Sequence, residues 1–336
     1  MDFLNAVVAL TNFVLIPATA YGAQLALGAL GVTLIYGILR FSNFAHGDTM
    51  AFGTALVILI TWAMQDRGIQ LGPLPTALLA LPFGIVLTAG FVLATDRAVY
   101  RFYRKQKAAP VILVIVSMGV MFIMNGLTRF IIGVGDIRFD DGERFLVTAG
   151  GFKRATGLAE GLAFRSTQAL TIVTAVIVVA LLFWFLNRTR TGKSMRAFSD
   201  NEDLALLSGI NPERVVTVTW IIAAGLATIA GTLYGLDKSF KAFNYFQLLL
   251  PIFASAIVGG LGNPLGAIAG GFLIAYSEVG FTYAWKKVAS YILPESLAPD
   301  GLVQLLSTDY KFAVSFAILI VVLLFKPTGL FKGKAV

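Results

Sequence analysis

Few side chains in this chain could act chemically on a substrate. It has no cysteine and a single histidine, His46. Without cysteine there are no disulfides, thiolate metal ligands or thiol nucleophiles, and one imidazole cannot build a two-histidine zinc site. Gly192-Lys193-Ser194 imitates the end of a phosphate-binding loop. The full pattern needs a glycine where Asn187 stands, and no strand precedes it. The chain is expected to hold no metal and no ATP of its own. No acid, base and nucleophile cluster together, so a membrane enzyme is not indicated. Asp48, Asp96 and Asp237 fall at the edges of apolar segments, which leaves Glu278 as the candidate intramembrane acid.

The elements that must position these residues are apolar spans. Hydrophobic residues make up 57% and charged residues 13% of 336 positions, against about a quarter charged in soluble domains. The expected fold is therefore an all-α polytopic membrane protein of about eight to ten crossing helices. The net charge of +8 sits in short basic blocks beside apolar runs, which points to topology and lipid headgroups, with no nucleic-acid partner. Met1-Asp2-Phe3 lacks the basic start of a cleaved signal.

In chain order, Phe3–Pro17 is an apolar stretch of marginal length. Clearer spans follow at Tyr21–Leu39, Asp48–Met64, Pro73–Thr95, Pro110–Ile132, Ala169–Leu186 and Val215–Gly235, with the last at Lys311–Phe325. Phe243–Phe281 is too long for one helix and is interrupted by Pro251 and by Gly259–Gly271. Arg97, Arg101, Arg104, Lys105 and Lys107 face only Asp96 and mark a cytoplasmic loop, as do Arg188, Arg190, Lys193 and Arg196. The interval 133–168 balances its basic residues with Asp136, Asp140, Asp141, Glu143 and Glu160, which suits an external loop. With a basic tail (Lys326, Lys332, Lys334) inside, parity favours ten crossings if Phe3–Pro17 also crosses, and eight is the competing count.

The cytoplasmic interval 187–213 carries a short helix with readable ends. Ser199 and Glu202 have capping-box spacing, and Leu204 and Leu207 share one face. Gly209 supplies a left-handed stop, and Asn211-Pro212 starts the next span. Two other motifs stand out. Arg40–Asp48 is a polar turn containing Asn43, Phe44, His46 and Gly47, in which Gly47 is the permissive residue that helps break a helix. Gly262, Gly266 and Gly270 recur every fourth residue, with Asn263-Pro264 as a turn, a spacing for helix packing or a narrow path.

These motifs carry a family resemblance. Glu202, Asp203, Leu204 and Gly209 resemble the coupling loop of ABC importer permeases, although Asp203-Leu204 replaces Ala-Ala and the glycine comes one residue late. RAFSDNEDLALLSGINPERV, the Asn43-Phe-Ala-His-Gly47 string after Tyr36-Gly37-Ile38, and AIVGGLGNPLGAIAGGFLIAYSE are similar to the permeases that import branched-chain amino acids. Lys326-Pro327-Thr328-Gly329 fits too, and the resemblance runs from Tyr21 to Leu330. It implies one transmembrane permease domain over 1–336 in a bacterial inner membrane. The implied partners are a second related permease, two cytoplasmic ATPases that use ATP and Mg, and an external, periplasmic solute-binding protein. Urea or short amides are the alternative cargo within the family. An ion-coupled secondary transporter, with Glu278 on the ion path, is the alternative from another class.

Overall fold

The computed structural model describes residues 2–139, 142, 144–292, 301 and 303–331; Asp140, Asp141, Glu143, Lys332 and Lys334, used above for topology, lie outside these. Helices dominate. In order they are α1 (Asp2–Leu39), α2 (His46–Gln65), α3 (Ala77–Lys105), α4 (Pro110–Ile132), α5 (Ala149–Thr156), α6 (Ser166–Arg188), α7 (Arg190–Asp200), α8 (Glu202–Leu207), α9 (Pro212–Asp237), α10 (Ala242–Gly259), α11 (Pro264–Thr282), α12 (Lys286–Ile292) and α13 (Lys311–Phe325). The short antiparallel pair β1 (Phe145–Val147) and β2 (Phe164–Arg165) flanks α5 in the predicted external loop. Among the described residues nine helices are long and apolar enough to cross a bilayer.

Nine lies within the expected range, but the preferred count of ten does not hold. Phe3–Pro17 does not turn back before Tyr21. It belongs to the same 38-residue helix, α1, which passes through a wider π-helical step at Thr11–Leu15. At 1.5 Å per residue α1 is about 57 Å long, nearly twice a ~30 Å hydrocarbon core. Its first turns instead dock on the 133–168 loop. Asn5 Oδ1 accepts from the amides of Ala159 (3.1 Å) and Glu160 (3.2 Å), and Asn12 Oδ1 accepts from Ala163 N (2.8 Å). Nine crossings would put the start of α1 on the side of the 133–168 loop, and the Arg97–Lys107 block, the Arg188–Arg196 block and Lys326 together on the opposite side.

The second half of α1 is the central helix. Nearly all of Ile16–Leu39 is buried, against α11, α9, α10 and α6. Small residues make this possible: a Cβ on Gly271 would lie 2.7 Å from Ala26 N, and one on Gly28 would lie 2.9 Å from Ile252. The outer helices are inverted relative to a soluble fold. Phe122, Ile123 and Phe130 of α4, Val176 and Trp184 of α6, and Leu324 and Phe325 of α13 face outward. Buried hydroxyls bond back along their own helices, as Thr54 does to Met50 O (2.8 Å) and Thr228 to Ala224 O (2.8 Å).

Pro251, expected to interrupt the long apolar run, lies inside α10; the break falls at Gly260–Asn263. There Gly260 and Gly262 have φ of 113° and 81°. Asn263 caps α11 by accepting from Gly266 N (3.1 Å), while its Nδ2 donates to Phe331 O (2.7 Å). The returning C-terminal segment adds Leu330 N to Val258 O (2.8 Å) and Phe331 N to Gly259 O (3.2 Å). The end of the last span is thereby stapled under the α10–α11 turn.

In the 133–168 loop, Glu160 receives Lys287 Nζ at 2.8 Å and the Tyr291 hydroxyl at 2.7 Å, tying α12 to the loop. Burial opposes its charge, but these donors outweigh burial and hold the Glu160 carboxyl below its ordinary pKa. The same bond pushes the Tyr291 hydroxyl up to about 12. A carboxyl with a depressed folded pKa stabilises above its unfolded pKa, and loses that contribution as the pH falls through the folded value.

Two measurements check this packing. A Cβ on Gly270 would overlap the Ser255 carbonyl oxygen, a backbone atom that cannot swing aside. Gly270→Leu should therefore cost about 1–3 kcal/mol in detergent melts, while Gly280→Ala, with open space around it, stays within about 1 kcal/mol of the parent. Hydrogen exchange of residues 158–163, corrected for intrinsic rates, should stay flat from about pH 8 to 5 and rise below about pH 4. Glu160→Gln should remove that step.

Candidate coupling and translocation site

The interval 187–213 holds two helices rather than one. Thr189 caps α7, its Oγ1 accepting from Gly192 N (2.9 Å). The expected Ser199–Glu202 box does not form, because Ser199 is still inside α7. Asn201 is the residue that leaves helical geometry, and its Oδ1 accepts from Leu204 N (3.0 Å) to cap α8. Gly209 does stop the helix in the left-handed region, with φ 78°, and Asn211 caps α9 through Arg214 N (3.2 Å).

α8 leaves an apolar face uncovered by the rest of the described chain. Leu207 is 85% exposed and Leu204 60%, while Ala205 packs inward. Glu202 and Asp203 sit in its first turn, where their charge suits the helix N-terminus.

The connection from these helices to the spans is one that sequence reading missed. Arg40 ends α1 in the left-handed region (φ 57°), unusual for a residue with a side chain. Its guanidinium donates to the Ser199 carbonyl at 2.6 Å. α7 is thus latched to the end of the central helix, close to where a Cβ on Gly37 would meet Ser199 Oγ at 3.1 Å.

Beyond Arg40 the chain stays irregular until His46, and its free backbone groups are satisfied from several directions. Phe44 N donates to Ser117 Oγ (3.1 Å) on α4, and Ala45 N to Asn43 Oδ1 (3.2 Å). The Tyr100 hydroxyl reaches the same Asn43 oxygen (3.3 Å), and Phe44 packs on Phe253 of α10. His46 is buried against Gly31, where a Cβ would come within 2.8 Å of Nε2. Gly47 serves a different purpose from the one expected. It lies inside α2 without a positive φ, and its missing side chain admits the Tyr245 carbonyl, 2.8 Å from where a Cβ would sit.

Asp48, Asp96 and Asp237 are at span ends in sequence yet buried, so Glu278 is one of several interior acids. Asp48 accepts from Asn125 Nδ2 (2.6 Å). α3 continues past Thr95 through a π-helical step at Asp96–Tyr100. Asp96 thereby reaches Trp220 Nε1 (2.7 Å) and pairs with both terminal nitrogens of Arg104. Trp220 stacks on Tyr100 at 5.2 Å. The clue in the sequence was that Asp96 is a lone acid in a basic block. Glu278, on α11, takes a hydrogen bond from Ser315 of α13, with Tyr21 and Lys311 beside it.

The glycines of α11 are a crossing point. Gly266 meets the Gly259 backbone and Gly270 the Ser255 carbonyl, so α10 and α11 touch main chain to main chain. The structure does not bring α8, the Asn43–Gly47 turn and Glu278 into one pocket.

A family model described as "Branched-chain amino acid transport system / permease component" matches residues 15–323. The chain is similar to the high-affinity branched-chain amino acid transport system permease protein LivH of Escherichia coli (strain K12), 29% identical with 92% of this chain and 91% of the relative covered. It is similar to BraD of Pseudomonas aeruginosa, also a permease protein of such a system, at 27% with 94% of each covered. A probable branched-chain amino acid transport permease protein LivH from Methanocaldococcus jannaschii is 26% identical, with 93% and 90% covered.

Removing Asp96 leaves the mostly buried Arg104 guanidinium without its carboxylate. Asp96→Ala is expected to cost about 3–5 kcal/mol, whereas Tyr100→Phe, which loses one hydroxyl bond, costs about 1 kcal/mol. Detergent melts of the two variants should separate by that margin.

Proposed function

The chain belongs to the family of branched-chain amino acid transport permease components, and on that premise we propose that it is the membrane-spanning subunit of an ATP-driven importer of branched-chain amino acids. Its place is the bacterial inner membrane. It is a transport subunit, and ATP and Mg are held and hydrolysed by separate cytoplasmic ATPases. A second related permease completes the pathway, and an external binding protein delivers the solute.

The observation that carries this reading is the exposed Leu204–Leu207 face of α8, capped at Asn201, stopped at Gly209 and held in the cytoplasmic interval. An ATPase that grips this face differently in its two nucleotide states shifts the permease between conformations. The Arg40–Ser199 bond (2.6 Å) is the direct route from α7 to the central helix and the irregular Asn43–Gly47 turn. The secondary-transporter alternative loses Asp96 as an ion-path acid, because Arg104 and Trp220 engage both of its oxygens.

Reconstitution with the candidate ATPases and binding protein tests the reading. Leucine uptake should require both ATP and the binding protein. Leu207→Asp should lower it by about tenfold or more without changing membrane insertion, and a substitution at Gly209 should uncouple it as well. Normal uptake in both variants would remove the coupling role. Urea uptake alone would keep the machine and change its cargo, and uptake driven by an ion gradient without ATP would overturn the proposal.

A further inference from the structure

A cytoplasmic crevice of about 530 Å³ lies where α7 meets the central helix, α6 and the α10–α11 turn. That volume falls within the roughly 300–1,000 Å³ typical of small-ligand sites. One wall is apolar, built from Leu34, Ile38, Phe183 and Leu186. The other carries Arg196 and Asp200, four residues apart and so on one face of α7. Neither charge makes an ion pair within 4.0 Å among the described residues. Thr33, the lining residue furthest from the end of α1, is 1% exposed, and its hydroxyl oxygen has no hydrogen-bond partner. A buried hydroxyl left open in this way needs a ligand or a water.

We propose that this crevice binds a zwitterionic aliphatic amino acid from the cytoplasmic side, with its carboxylate on Arg196, its ammonium on Asp200 and its side chain against Leu34, Ile38, Phe183 and Leu186. The inference rests on the amino-acid reading of the transporter above. A cation and an anion one helical turn apart match the two ends of an α-amino acid, and a guanidinium suits a carboxylate in particular. Gly37 and Gly262 keep the space open, since no side chain projects from either into it. An occupant would touch α7, the central helix, α6 and the α10–α11 turn at once, bracing the two cytoplasmic helices against the bundle. Imported solute would thereby slow further import.

Labelled leucine is added to the detergent-purified permease–ATPase complex without nucleotide or binding protein. Binding should appear, and should weaken about tenfold or more in Arg196→Gln and in Asp200→Asn. These are separate changes at exposed positions, so a folding failure common to both is not expected. Leucinamide and 4-methylpentanoate, each lacking one charge, should compete poorly. In proteoliposomes with ATP and the ATPases inside, luminal leucine should lower the ATPase rate and initial uptake severalfold, and the ratio with and without luminal leucine should return towards one in either variant. Absence of binding to the complex, or equal binding by wild type and both variants, overturns the proposal. If ATP-dependent leucine uptake persists alongside such a result, the transport reading stands and only the crevice assignment falls. If leucine binds as expected but uptake does not depend on ATP, the transport reading is the one that fails.

Discussion

The bilayer core offers no water to an open backbone amide or carbonyl, and the architecture follows from that constraint. Helices solve it within themselves. The difficulty arises where a helix stops inside the protein, as the central helix does at Arg40. From there to His46 the main chain has no ladder of its own, so Ser117 and Asn43 accept from the amides of Phe44 and Ala45, and the Tyr100 hydroxyl holds the Asn43 side-chain oxygen. Tyr100 is in turn stacked on Trp220, and Trp220 is pinned by Asp96 and, through it, Arg104. A short irregular turn therefore depends on α3, α4 and α9 together.

The same constraint explains why interior polar groups are spread over several helix contacts. Asp48 joins α2 to α4, Asp96 joins α3 to α9, and Glu278 joins α11 to α13. Each contact lets two helices share a group that neither could bury alone. Glycine crossings do the complementary work. Where α10 meets α11, or α1 meets α11, the main chains are too close for side chains between them.

At the end of the bundle that carries α7 and α8 the arrangement is different. α8 is short, capped and exposed, and α7 is held to the spans by Arg40 and by apolar anchors such as Met195 and Phe198. A helix with few packed neighbours moves at low cost, while one latched to the central helix cannot move far alone. That pairing of a loose contact surface with a firm link suits a part that receives force, and the crevice beneath α7 is the space such movement would change.

Much of this was legible in the linear chain. Apolar runs bounded by basic blocks located the spans, and Pro110–Ile132 and Lys311–Phe325 have the bounds read from sequence. Gly209 and Asn211-Pro212 end and start helices as their conformational preferences require. Local signals were weaker where two residues could do the same job. Ser199 and Asn201 are both good caps; in the fold Ser199 stays inside α7, where Arg40 bonds its carbonyl, and Asn201 is the residue that leaves helical geometry and caps α8. The number of crossings was likewise undecidable from hydropathy, because Phe3–Pro17 is apolar enough either to cross or to extend its neighbour. Asn5 and Asn12, bound to amides some 150 residues away in sequence, settle it. Sequence determined what each segment could bury, since burial depends on side-chain type and period. Which acid meets which donor, and which helix end meets which loop, depended on contacts between distant segments, and these exist only once the helices have packed.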